Sequence, residues 1–278
     1  MQGTLKQWAT EVDLAILNQR DSNTFDCRGR LIGRLRRLTK VAVSLDAQSV
    51  ASVQSSDPAR ISEGGEMVAV MDLTGAIRHL RIDRLGSKLL AIASTGTVAV
   101  AISQWSADRA LLVIPAGGEA EDVLPIAKVL PSGMIESLAF SCDGSLLAVG
   151  SRESFVVLEL TRRRTIFNAV GRFPRISPSG KGVSYLEKGG RLVFRDLATS
   201  RADYPCGRRT VRGIGSWSPD GRYLLVGMPV GILANQLRIL DIASGRTVDL
   251  VRMDEGIYGT TFAWVKRSLI DVVEAPRK

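Results

Sequence analysis

Short apolar runs, each closed by a turn, recur along this chain, and in residues 214–250 they form one legible unit. Residues 214–217 are a short apolar strand. Pro219-Asp220-Gly221 is a turn: proline presets the second turn position, aspartate bonds its own backbone and glycine takes a positive φ. Residues 223–228 are unbroken apolar, as expected of a strand covered on both faces. Residues 236–241 alternate, and Ala243-Ser244-Gly245 turns the chain into 246–251. Four strands in about 40 residues match one blade of a β-propeller. Such a sheet cannot bury both faces alone, so further units are required beside it.

Related turns follow a first strand at Ser44-Leu45-Asp46-Ala47, Ser94-Thr95-Gly96, Ser141-Cys142-Asp143-Gly144, Ser177-Pro178-Ser179-Gly180 and Ser218-Pro219-Asp220-Gly221, with a degenerate sixth at Val265-Lys266-Arg267-Ser268. The steps between them are 50, 47, 36, 41 and 47 residues. The pattern predicts an all-β, six-bladed β-propeller in a single domain, 1–278, with blades near 40–80, 89–126, 135–168, 173–205 and 214–251. The sixth blade joins 259–274 with 12–35: an outer hairpin at 23–35 and an inner pair at 259–264 and 269–274, so that pairing of N- and C-terminal strands closes the ring and removes exposed edges. Residues 1–18 read as a helical start leading into a strand, since Leu5, Trp8, Val12 and Ile16 share a helical face while Val12, Leu14 and Ile16 alternate.

Ser216-Trp217-Ser218-Pro219-Asp220-Gly221-Arg222-Tyr223-Leu224 resembles the WD40-like propeller repeat of bacterial TolB-type proteins. Residues 138–148, Leu-Ala-Phe-Ser-Cys-Asp-Gly-Ser-Leu-Leu-Ala, are similar to that repeat and to the WD40 repeat. The likeness is strongest in 136–251, and no Gly-His or Trp-Asp dipeptide closes any repeat. The resemblance implies the fold; propellers host many functions, so it implies none in particular.

Charge narrows the choice of partner. The net charge of +9 points to something anionic. Cys27, Cys142 and Cys206 are odd in number and form no CxxC, which favours a reducing compartment over a disulfide scaffold. Residues 1–13 show no secretory signal pattern, whereas TolB-type proteins are typically exported, and no apolar run approaches the length of a membrane span. These features predict a cytoplasmic protein.

Catalytic chemistry is poorly supplied. His79 is the only histidine and falls on an outer strand; there is no Gly-x-Ser-x-Gly elbow, phosphate loop or His-Glu-x-x-His. No catalytic residue, metal ligand or cofactor site is assigned, and Asp46, Asp143 and Asp220 are explained by their turns. The cations are more informative. The segments joining one blade to the next, 36–40, 81–88, 127–134, 168–175, 207–213 and 252–258, hold thirteen Lys and Arg against three acids. Arg36, Arg37, Lys40, Arg81, Arg84, Lys88, Arg172, Arg175, Arg208, Arg209 and Arg212 are therefore the candidate partner-binding residues, with Lys128 and Arg252 beside them. Clustered on one face, they would capture an acidic partner. The expected function is a non-catalytic protein-interaction module, either an assembly subunit or an immunity protein that caps a toxin. The alternative is phosphate-led nucleic-acid binding, which the two aromatics in these segments, Phe173 and Tyr258, support poorly. A hydrolase or lyase acting in the channel ranks below both.

Overall fold

The computed structural model describes residues 12–17, 22–25, 31–35, 39–54, 66–72, 74, 76–82, 87–102, 110–118, 122–125, 130, 134–230, 234–253 and 261–266. Strands dominate these residues. Four consecutive strands, β4 (Thr39–Val43), β5 (Ser49–Gln54), β6 (Glu66–Asp72) and β7 (Ile77–Ile82), form one antiparallel sheet in chain order. The same meander recurs in β8 (Ser87–Ile92), β9 (Val98–Ile102), β10 (Ala110–Ile114) and β11 (Asp122–Pro125). It recurs again in β12 (Ser137–Phe140), β13 (Leu146–Gly150), β14 (Ser154–Glu159) and β15 (Arg164–Val170), and in β16 (Arg172–Ile176), β17 (Gly182–Leu186), β18 (Leu192–Asp196) and β19 (Ala202–Asp203). β20 (Gly213–Trp217), β21 (Tyr223–Val230), β22 (Ala234–Asp241) and β23 (Thr247–Met253) make a further sheet. The remaining one is ordered β24-β1-β2-β3, from β24 (Thr261–Lys266), β1 (Val12–Leu17), β2 (Ser22–Phe25) and β3 (Leu31–Leu35).

Residues 12–17 form a strand, and the helical start expected before it, 1–11, lies outside the described residues. One expectation needs correction. The neighbour of β24 is β1, in register from Val12↔Lys266 to Leu17↔Thr261, so the place expected for 269–274 is taken from the other end of the chain. Residues 269–274 themselves lie outside the described residues.

The first strands pack on one another around an axis: β4 on β8, β8 on β12, β12 on β16, β16 on β20, β20 on β24, and β24 on β4. Sheets radiating from a common axis make this a β-propeller. The packing explains the unbroken apolar strands. In β9, Val98, Val100 and Ile102 face one neighbouring sheet while Ala99 and Ala101 face the other. In β13, Leu147 and Val149 face the preceding sheet and Ala148 the following one. Alternation survives as a choice between two cores instead of core and solvent. Larger side chains fill the wider gaps, as where Phe155 stacks on Tyr185 with ring centroids 4.9 Å apart.

One hydrogen-bonded turn closes the first hairpin repeatedly. Ser44, Ser141, Ser177 and Ser218 are all buried. Each hydroxyl accepts the N–H five residues on, from Ser49, Leu146, Gly182 and Tyr223. In three of them it also donates to the carboxylate two residues on, Asp46, Asp143 or Asp220. The fourth turn residue is left-handed, with φ of 74° at Gly144 and 72° at Gly221; Ala47 takes the same place at 60°, against the preference of an L-residue.

Two measurements test this account. Ser218→Ala strands the buried N–H of Tyr223 and should cost about 1–3 kcal/mol in urea unfolding, whereas Ala47→Gly relieves strain and should gain about 1 kcal/mol. Acid should act through the turn carboxylates. Burial pulls Asp143 and Asp241 upward, but hydrogen bonds from Ser141 and Ser145 to the first, and from Ser244 and Arg222 to the second, outweigh it and hold both below the ordinary 3.8. Depressed carboxylates stabilise the fold above that value and cease to as pH falls through their own. The melting temperature should therefore hold from neutral pH to about 4 and drop below it; a flat profile into stronger acid would contradict the assignment.

Candidate functional site

Every sheet runs the same course, so the molecule has two distinct ends. The first hairpin turns lie together at one end. Ser94 N–H donates to Cys142 O there, Ser94 Oγ contacts Cys142 Sγ, and the Gly144 and Gly221 turns touch Thr95 and Pro178 of the preceding sheets. The connections between sheets lie at the opposite end, which is where the candidate cations belong.

The described candidates fall into two groups. Arg208 and Arg209 are exposed at the tip of the connection between β19 and β20. That tip is fastened on both sides: Cys206 and Val211 are buried in the core with Leu186, Leu192 and Trp217. Val211 N–H donates to Gly190 O at 2.7 Å, and a Cβ at Gly190 would lie 2.6 Å from Val211 O, so glycine is needed for the approach. Burial pushes the Cys206 thiol up to about 11, with Arg209 pulling the other way. Arg212 precedes β20 and donates to the buried Asn235 Oδ1, and Arg172 opens β16 with its guanidinium 5.9 Å from the Phe173 ring. Arg252, near the end of β23, is exposed.

Arg175 belongs elsewhere. It lies inside β16, not in a connection, and lines a central cavity of about 110 Å³ walled by residues of all the first strands. Burial pushes its pKa down to about 10, which leaves the guanidinium charged at neutral pH. Several other candidates are also strand residues: Lys40 in β4, Arg81 in β7, Lys88 in β8 and Arg172 in β16. Arg36, Arg37, Arg84 and Lys128 lie outside the described residues.

Several arginines outside the candidate set are ion-paired. Arg164 and Arg162 pair with Glu159, Arg222 with Asp241, Arg238 with Asp249 and Arg201 with Asp203, on the turn end or the sheet flanks. At the connection end Arg191 pairs with Glu187. Among the described residues, no carboxylate pairs with Arg172, Arg175, Arg208, Arg209 or Arg212.

Sequence reasoning missed the apolar groups beside them. Tyr204 is 40% exposed with Arg191 stacked 4.3 Å over its ring, Met134 is 54% exposed and Val170 73%. All three sit where one sheet passes to the next. The sequence pattern extends the fourth blade to residue 205, whereas β19 ends at Asp203 and puts Tyr204 into the connection. Phe173, counted as a connection aromatic, lies in β16 and packs on the core; Tyr258 is outside the described residues. His79 is exposed on β7, the outermost strand of its sheet. No group of three or more His, Cys, Asp or Glu among the described residues is placed to hold a metal.

No protein-family model matches the chain, and no curated protein matches it. Solved structures do. The fold is that of a TolB-type β-propeller. The crystal structure of TolB from Acinetobacter baumannii aligns at a TM-score of 0.64 with 13% identity, over 92% of this chain and 66% of that one. Putative TolB from Agrobacterium tumefaciens aligns at 0.55 with 12% identity, over 92% of this chain and 98% of that one. The chain thus spans just under two thirds of the length of the first TolB. At such identities the likeness is one of fold.

Proposed function

We propose that the six sheets form one closed six-bladed propeller, completed by β24 with β1–β3, and that this rigid body is a non-catalytic module binding an acidic protein partner through its connection end. The observation that carries the reading is the fastened tip at Arg208 and Arg209: two exposed arginines without carboxylate partners among the described residues, held between buried Cys206 and Val211 and next to exposed Tyr204. Arginine and tyrosine are the residues that dominate protein interfaces, and a tip ordered before binding loses little entropy on docking. The guanidinium fork pairs with carboxylates bidentately, and unpaired cations at one end speed encounter with an acidic surface.

The TolB-type fold supports the reading only as a scaffold that displays loops. Within it, an assembly subunit and a toxin-neutralising immunity protein working in the cytoplasm remain the two proposed settings. Phosphate-led nucleic-acid binding is the second reading; the same arginines favour it, and exposed Met134 and Val170 favour a protein instead.

Affinity capture from native lysate, with and without nuclease, decides between them. A retained partner should survive nuclease, and Arg208→Glu with Arg209→Glu should slow its association at low salt and flatten the salt dependence. Tyr204→Ala should cost about 2 kcal/mol of affinity, mainly in dissociation rate. Recovery that vanishes with nuclease and falls steeply with salt would replace the protein reading by the polyanion one.

A further inference from the structure

The channel has a chemistry of its own that the connection end does not use. With the second turn taken from Ala93, whose carbonyl accepts Gly96 N–H as Ser44 O accepts Ala47 N–H, counting back two residues from the start of each first turn gives Ala42, Ala91, Ala139, Arg175 and Ser216, and Ala263 of β24 joins them on the wall of the cavity. Five positions are small and one is arginine. The small side chains leave the space, and Arg175 fills part of it. Its guanidinium spends one N–H on Pro174 O, 2.9 Å away, and has no carboxylate partner among the described residues. A guanidinium has five N–H donors, so most of this fork is unused.

A second polar side chain, Ser216, lines the same cavity. Ser216 Oγ accepts from Trp264 N–H, which leaves its own proton to donate. Apolar residues such as Leu90 and Trp217 make up much of the remaining wall. Charge and hydroxyls in an apolar enclosure attract an anion far more strongly than the same groups in water.

The backbone leading to Arg175 is also unusual. Phe173 has φ of 55°, an outlier for a bulky residue and one that a following proline disfavours further. The pairing of β16 with β17 slips between Arg172 and Arg175. Strain and bulges of this kind occur where a side chain is held at a functional position.

We propose that the channel is a binding site for one small oxyanion, a carboxylate or a phosphate, gripped by Arg175 and completed by the hydroxyl of Ser216. The cavity of about 110 Å³ is roomy enough for a small oxyanion. The positive charge excludes a metal cation. Glu136, the carboxylate on the cavity wall, is exposed and makes no ion pair with Arg175, so it opposes an entering anion and tunes the affinity.

Titration calorimetry on the purified full chain tests the site, with sodium acetate and inorganic phosphate as separate probes against chloride at matched ionic strength. Saturable one-to-one binding in the millimolar range or tighter is expected. Preference for acetate identifies a planar carboxylate site, and preference for phosphate a tetrahedral one. Arg175→Met should weaken binding at least about tenfold, the loss of a charge-assisted hydrogen bond, with Arg175→Lys weakened less. Ser216→Ala should weaken binding and Glu136→Gln tighten it. Because Arg175→Met removes an unpaired charge, its anion-free form should melt no lower than the wild type. Should it fail to fold, Arg175→Lys and Ser216→Ala carry the test by the same criterion. No saturable binding of either probe to the wild type, or equal binding after these substitutions, overturns the proposal.

Discussion

A serine hydroxyl buried at the foot of each of four first hairpins is the contact on which the rest of the geometry hangs. It accepts the N–H that would otherwise be orphaned where the strand pair opens, and in three of the four a carboxylate two residues on fixes its rotation. That fixes where the first strand stops. Since neighbouring first strands touch through these turns, it also fixes their relative height. The ring of small residues two positions earlier is a consequence: equal spacing from equal turns brings Ala42, Ala91, Ala139, Arg175 and Ser216 to one cavity.

The arginines of the body differ in what they do. Some complete local networks, as Arg222 does for Asp241 beside the N–H of Ser244 on the turn end and Arg191 does for Glu187 on the connection end. Such pairs are partly solvent-screened and contribute modestly to stability. At the connection end Arg208 and Arg209 have no carboxylate partner among the described residues, yet their backbone is tied down by buried neighbours. Rigid backbone under an unpaired cation suits recognition better than it suits stability, and it comes from Cys206 and Val211 reaching the core between β17, β18 and β21.

The strands of 213–253 were legible because their turns carry their own chemistry. Pro219-Asp220-Gly221 and Ala243-Ser244-Gly245 mark hairpins whatever surrounds them. The end of the chain was harder. Whether β24 pairs with a strand that follows it or with β1 is a choice between distant partners that local propensity does not encode. The arginines divided in the same way. Arg208 and Arg209 stand between a strand end and a glycine-bearing strand start, so their place in a connection was readable. Arg175 falls at the end of the segment 168–175 drawn between two blades, whereas β16 already begins at Arg172 and its slipped pairing brings the arginine to the channel wall. Tyr204 was lost to the brevity of β19, two residues long, which no apolar run announces.

The single arginine in a ring of alanines and serine breaks the rotational likeness of the sheets. A channel built from near-equivalent walls offers a visitor nearly the same view from one sheet to the next. With Arg175 on β16 alone, it has a compass bearing. Anything that seats in the channel arrives in one azimuth relative to the outer end, where the sheet carrying Arg175 is joined to its successor by the segment that displays Arg208 and Arg209.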